Sequence, residues 1–194
     1  MDRSTEELLE VVQLVGRAST DLHGLTSAQE IAKAVTETFR SSRRFNAHVM
    51  MVDDGDETLR FVATSFVPTL VKLGEIIAGV SMSSFRVRLE KSPLLTRVIH
   101  EGETLLVSTT DALGQFLPSQ IVLRVLKRLR YEGTHDILTP LHCRGRIVGI
   151  LSVTAPDLAE LFVPSMKNLA HLMSAALDYA VSQEERRRSD HRYQ

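Results

Sequence analysis

Residues 136–155 read Asp-Ile-Leu-Thr-Pro-Leu-His-Cys-Arg-Gly-Arg-Ile-Val-Gly-Ile-Leu-Ser-Val-Thr-Ala. Two apolar runs, Ile137 to Leu141 and Ile147 to Val153, flank the polar Arg144-Gly145-Arg146. Short apolar runs rich in β-branched residues and joined by a few residues containing Gly read as a β-hairpin. The second run places Ile147, Leu151 and Val153 on one face and Val148 and Ile150 on the other. A strand apolar on both faces belongs in the middle of a sheet with a layer above and below it. Gly149 inside that strand marks close approach by another backbone or a ligand. Pro140 has no N–H for a ladder, so the first strand is expected to carry a bulge or an open edge there.

Composition bounds the class. A chain of 194 residues is one domain with extensions, large enough for a substantial core. Its 43% hydrophobic and 24% charged residues are those of an ordinary globular protein. The net charge of -1 argues against a nucleic-acid footprint, so no direct nucleic-acid partner is expected. No apolar run approaches the roughly 20 residues that cross a bilayer, and no signal peptide opens the chain. No membrane partner is expected, and a cytoplasmic location is the default. One cysteine, Cys143, excludes an intramolecular disulfide framework.

Outward from the hairpin, helices and strands can be placed in order. Ser4 with Glu7, and Ser27 with Glu30, are capping-box patterns. They predict helices from Ser4 to about Leu22 and from Ala28 to about Arg40. Asn46 to Val52 and Leu59 to Phe66 read as strands joined by the turn Asp53-Asp54-Gly55-Asp56. That acidic turn lacks the closing Glu of a calcium loop, so no metal site is expected. A helix from Thr69 to Ile77 ends at Gly79, and Phe85, Val87 and Leu89 alternate with charged residues as a half-buried strand. Ser92-Pro93 starts a short helix with Ser as its N-cap, and Thr104 to Ser108 is another strand. Ala112 to Gly133 is a long excursion broken by Pro118, with Ile121, Val122, Val125, Leu126 and Leu129 at helical spacing. Lys127, Arg128 and Arg130 form its basic side, read as a solvated face. From Asp157 or Leu158 a long helix carries Phe162, Met166, Leu169, Met173, Ala176, Leu177 and Ala180. It runs into a charged stretch, residues 181–194, read as a helical linker toward a missing output domain.

The hairpin Pro140-Leu141, Gly145 and Ile147-Val148-Gly149-Ile150-Leu151-Ser152-Val153 resembles the closing hairpin of a GAF domain. Ile99-His100-Glu101-Gly102-Glu103-Thr104-Leu105-Leu106-Val107 is similar to the helix, Gly and strand that precede it in that family. The resemblance implies an α/β (α+β) fold: a central antiparallel sheet of five to six strands, terminal helices on one face and a helix-loop pocket on the other. It implies a sensor domain over residues 24–180, preceded by an N-terminal helix over 1–23 for dimerisation and signalling. Such modules serve multidomain signal-transduction proteins, among them the sensor histidine kinases of two-component systems. The pocket it implies lies between the sheet and residues 85–133. Phe85, Val87, Leu89, Phe116 and His142 are the candidate lining, His142 being the polar one. For each apolar residue, plain core packing is the competing reading.

Chemistry in the chain is sparse. The free methionine sulfoxide reductases of this fold rely on several cysteines, and Cys143 is alone, so no catalytic residue is expected. Arg144 and Arg146 beside Cys143 would lower a thiol pKa if it were exposed, but a small buried hydrophobe is the preferred reading. Some GAF domains carry a bilin on a Cys-His pair. Here the order is His142-Cys143, which disfavours one. Haem-binding members need an axial His, and seven histidines are present. An isolated His is more often an ordinary surface or hydrogen-bonded residue, so haem is disfavoured too, and the cofactor stays open.

A homodimer is expected through Leu8, Leu9, Val11 and Val15 of the first helix and Leu172, Met173 and Ala176 of the last. Leu9, Leu14, Leu172 and Leu177 widen those stripes beyond what one sheet covers. The expected function is ligand sensing coupled to a helical dimer. A relay module without a ligand, and the effector domain of a transcription regulator, are the alternatives.

Overall fold

The computed structural model describes residues 3–192 apart from 54 and 56. Six antiparallel strands form one sheet in the order β3-β2-β1-β6-β5-β4. They are β1 (Asn46–Val52), β2 (Thr58–Thr64), β3 (Arg86–Arg88), β4 (Leu105–Ser108), β5 (His135–Cys143) and β6 (Arg146–Ala155). The hairpin strand β6 is central, between β1 and β5. Arg144 and Gly145 both take left-handed backbone conformations, φ 51° and 74°, which turns the hairpin in two residues.

Gly149 is where the strands crowd. A Cβ there would stand 2.4 Å from the Met50 carbonyl oxygen, so only glycine fits. Pairing of β4 with β5 stops at Leu138, which leaves Pro140 beyond the end of its outer neighbour, and the ladder skips between Leu141 and His142. That skip corrects the expected facing of β6. Leu141 sits opposite Gly149 but His142 opposite Ile147, so Val148 is an extra residue. Ile147 therefore joins Ile150 on one face, while Val148 joins Leu151 and Val153 on the other.

One face is covered by α1 (Arg3–Asp21), α2 (Ala28–Arg40) and α7 (Val163–Arg192). Their apolar stripes meet the sheet in a single core that includes Val11, Leu14, Phe39, Leu169, Met173 and Leu177. Phe45 and Phe162 meet edge to face at 5.9 Å within it. Helix α1 and Leu22 thus share their core with the rest of the domain. Ser27 caps α2, accepting the Glu30 N–H at 3.2 Å, and the Glu30 carboxylate takes the Thr26 N–H at 2.9 Å in return. Ser4 does not precede its helix, because α1 already includes Arg3. The last helix begins at Val163, after a 3-10 turn over Glu160–Phe162, and not at Asp157 or Leu158.

The opposite face carries α3 (Pro68–Ala78), α4 (Pro93–His100), α5 (Thr109–Gly114) and α6 (Ser119–Leu129). The strand expected through Leu89 is shorter, since Leu89–Lys91 form a 3-10 turn. Ser92 does not cap α4 with its side chain. Its hydroxyl donates to the Arg88 and Gln115 carbonyls, and the Gln115 side-chain oxygen accepts the Leu94 N–H at 2.9 Å instead. Asp53 of the acidic turn pairs with Arg60 and Arg86 at 3.0 and 2.8 Å. No helix among the described residues is long and apolar enough to cross a membrane.

Candidate ligand cavity

Alternation along a strand puts every second side chain on the same face. On the α3–α6 side, Met50 of β1, Phe61 of β2, Leu138 of β5 and Ile150 of β6 therefore point together. The long 109–131 excursion has to arch over them, because Pro118 separates α5 from α6. Gly74 of α3, without a side chain, lies 4.0 Å from Leu129 of α6 at its Cβ position, so the two helices close over the sheet. Beneath them is a cavity of about 170 Å³. Its walls are apolar: Leu70 and Val71 of α3, Leu113 of α5, Phe116, and Leu126 and Leu129 of α6.

The floor is not apolar throughout. Asp136, Ser152 and Thr154 project from adjacent positions of β5 and β6 and line the cavity. Asp136 is buried, and its Oδ1 accepts both hydroxyls, Ser152 at 3.0 Å and Thr154. Its Oδ2 has no hydrogen-bond partner among the described residues, although Thr109 stands nearby. Burial raises the Asp136 pKa above the usual carboxylate range, only partly opposed by the neighbouring hydroxyls.

A second polar group sits on β1. His48 holds Thr64 Oγ1 at 2.8 Å through Nδ1 and lies edge-on to Phe66 at 4.6 Å. Desolvation pushes its pKa down to about 4, so it is neutral at physiological pH. Tyr131 accepts the Asn46 amide at 2.6 Å, and burial pushes its phenol up to about 12. Glu75 of α3 accepts the Met82 N–H at 2.8 Å and so ties the loop after α3 to that helix. Among the described residues, Asp136 and Glu75 are the acidic side chains of the lining, and it has no Lys or Arg.

The residues singled out in the sequence divide. Phe85 and Phe116 line the cavity, their rings 5.7 Å apart. Val87 and Leu89 are buried in the adjoining core and do not reach it. His142 is exposed at the far end of β5, outside the lining, and its N–H donates to the Ser174 hydroxyl of α7 at 2.9 Å. The polar positions are instead His48 and Asp136, which sequence reasoning passed over. The available signal was polar residues at alternate positions, Ser152 and Thr154, in an otherwise apolar strand. Cys143 also lies outside the cavity, and burial and the neighbouring Asp178 raise its thiol pKa, the opposite of activation.

The expected dimer seam is corrected in part. Val11, Val15 and Met173 are buried in the chain's own core, as are Leu14 and Leu177. Leu172 and Ala176 are half-buried, and Leu8 and Leu9 are exposed, as is Val12. An apolar helical stripe reveals that something covers it, and here the covering is intramolecular.

No family model and no curated protein sequence matches the chain. Solved structures do. The GAF domain of a phosphoenolpyruvate-protein phosphotransferase from Coxiella burnetii superposes with a TM-score of 0.64 at 13% identity, covering 91% of this chain and 98% of that one. Free methionine-R-sulfoxide reductase from Neisseria meningitidis, in complex with its substrate, gives 0.63 at 12%, covering 89% and 91%. A phycocyanobilin-bound GAF domain from a cyanobacterial phytochrome gives 0.60 at 12%, covering 89% and 96%. The chain has the GAF fold.

Proposed function

We propose that this chain is a regulatory, ligand-sensing domain of a multidomain signalling protein, such as a sensor histidine kinase of a two-component system. The observation that carries the reading is the cavity. It is walled by apolar side chains, floored by a few polar groups, and enclosed between the sheet and the least buried helix of the fold. That combination is what small-molecule sites look like.

A route out of the cavity supports the same reading. The strands that carry Asp136, Ser152 and Thr154 end in the Arg144-Gly145 turn. There the Arg144 N–H donates to Asp178 Oδ1 at 2.6 Å, and its guanidinium grips Glu185 through two bonds, 2.6 and 2.5 Å. With the His142–Ser174 bond, the hairpin is hooked to α7 at three successive places. A ligand that favours one seating of the hairpin would bias the seating of α7. Output through a homodimer then uses the apolar side chains left exposed, Leu8, Leu9 and Val12 on α1 and Tyr179 on α7, with half-buried Leu172 and Ala176 beside them. Each Leu buried between protomers would contribute about 1.5–3 kcal/mol before association costs.

The domain is proposed to be non-catalytic. A reductase that turns over through a disulfide needs a second thiol, and Cys143 is the single cysteine. Turnover of methionine sulfoxide that disappears in Cys143→Ser would refute this.

The sensing test is a metabolite screen by melting temperature, followed by native mass spectrometry. A ligand at a hundredfold its Kd adds about 2.7 kcal/mol, a shift of roughly 5–10 °C for a domain this size. No shift from a broad screen would leave a ligand-free relay module as the better reading. Light scattering on the wild type and on Leu9→Glu with Leu172→Glu tests the dimer. A wild type that stays monomeric at tens of micromolar, or a variant that stays dimeric, counts against the proposed interface.

A further inference from the structure

The cavity's charges constrain what enters it. Its described lining holds two carboxylic acids and no Lys or Arg, and its one histidine is held neutral. An anionic ligand, whether phosphate or carboxylate, would be desolvated beside acids with no cation to receive it, which is strongly unfavourable. The lining suits a neutral or cationic molecule.

Asp136 narrows the choice. One of its oxygens takes two hydroxyl protons, and the other takes none among the described residues. A buried acceptor left open costs free energy in the empty domain, and the group that relieves the cost is a donor supplied from outside. Ser152 and Thr154 have already given their protons to the first oxygen, so they hold the carboxyl in place for such a donor. Phe66 and Tyr131 stand edge to face 5.3 Å apart in the same lining, beside Asn46, which pairs with Thr154 next to Asp136. Aromatic faces attract a cation as well as an apolar body. A cavity of roughly 150 Å³ accommodates benzene, and this one measures about 170 Å³.

We propose that the ligand is a small apolar amine of about the size of benzylamine, with its ammonium group on Asp136 and its apolar body against Phe66 and Tyr131. The inference rests on the sensing role of the cavity proposed above and assigns its ligand class. No bond is made or broken on binding.

The experiment is calorimetric titration of the full chain at neutral pH with four probes of one shape: benzylamine, benzyl alcohol, toluene and phenylacetate. The expected order is benzylamine roughly tenfold or more tighter than benzyl alcohol or toluene, the scale of one charge-assisted hydrogen bond, and no binding of phenylacetate. In Asp136→Asn, which keeps the shape, benzylamine should fall to the level of toluene while toluene is unchanged. The wild-type probe series stands even if that variant does not fold. Toluene or benzyl alcohol binding as tightly as benzylamine would overturn the amine assignment and leave the sensing role intact. So would phenylacetate binding best. An amine preference that survives in Asp136→Asn would overturn the role of Asp136. Failure of all four probes would overturn the amine proposal. Whether the cavity senses anything would then be decided by the metabolite screen.

Discussion

Helices α2 and α3 are of similar length and lie on opposite faces of the same sheet. Helix α2, with 13 residues, buries six side chains, among them Ile31, Val35 and Phe39. Helix α3, with 11 residues and a more apolar sequence, buries none, and its Ile76 is 69% exposed. Burial is therefore set by what the neighbouring elements leave room for, not by how apolar a helix is. On the α2 side the side chains of α1, α7 and the sheet interlock. On the α3 side the arch over the sheet leaves a cavity, and contacts that would have held α3 down are missing. Few buried apolar contacts mean a low local opening free energy, which is the usual property of elements that move on ligand binding.

The sharpest way to break this comparison is truncation on each side. Phe39→Ala should cost about 3–5 kcal/mol, the range for a fully buried aromatic, whereas Ile76→Ala should stay within about 0.5 kcal/mol. Urea midpoints of the two variants measure both. Equal losses would mean that α3 is as firmly packed as α2.

A smaller effect is expected from acid. His48, on the cavity side, is neutral when folded down to about pH 4, whereas an unfolded His takes its proton near 6.5. Between those values the unfolded chain binds more protons, so stability falls as pH falls. Because His48 is only half-buried, the expected loss is ~1–3 kcal/mol from pH 7 to pH 4. Unfolding at a series of pH values, with His48→Gln as reference, isolates it. A variant with the same acid profile as wild type would remove His48 as the cause.

Asp136 should act in the opposite direction. Its folded pKa is raised, so above the unfolded value the folded state retains a proton that the unfolded chain releases, and stability falls as pH rises. Asp136→Asn removes that term. The ligand-free variant should be more stable than wild type by roughly 1–2 kcal/mol at neutral pH, with the difference shrinking in acid. A less stable Asn variant at every pH would show that the carboxylate is satisfied in a way the hydrogen bonds here do not show.

The sheet was legible in the sequence because its signals are local. Turn residues, alternation and the position of Gly149 each follow from the conformation of a few adjacent residues. The cavity floor was not legible for two reasons. Ser152 and Thr154 alternate with Leu151 and Val153, but alternation alone does not tell a polar cavity floor from a solvent-facing strand face, which is decided by the helices packed over β6. Phe85 and Phe116 could be read as pocket residues, while Val87 and Leu89 could not be told from core, since all four are simply apolar. The dimer stripes erred for a related reason. Helical spacing identifies an apolar face, but Val11, Val15 and Met173 are covered from within the chain, which only the three-dimensional packing reveals.

The Arg144-Gly145 turn has one further consequence, for the kinds of sequence this hairpin admits. A two-residue turn with both φ angles positive favours Asn-Gly or Gly-Gly, and an arginine in that conformation costs about 1 kcal/mol. Local propensity and long-range contact therefore disagree at position 144. Arg144→Gly would make the better turn and the poorer connection, since it keeps the N–H that reaches Asp178 and loses the fork that holds Glu185. A selection for stability alone would push this position toward glycine. A selection for communication between the hairpin and α7 would hold the arginine in place.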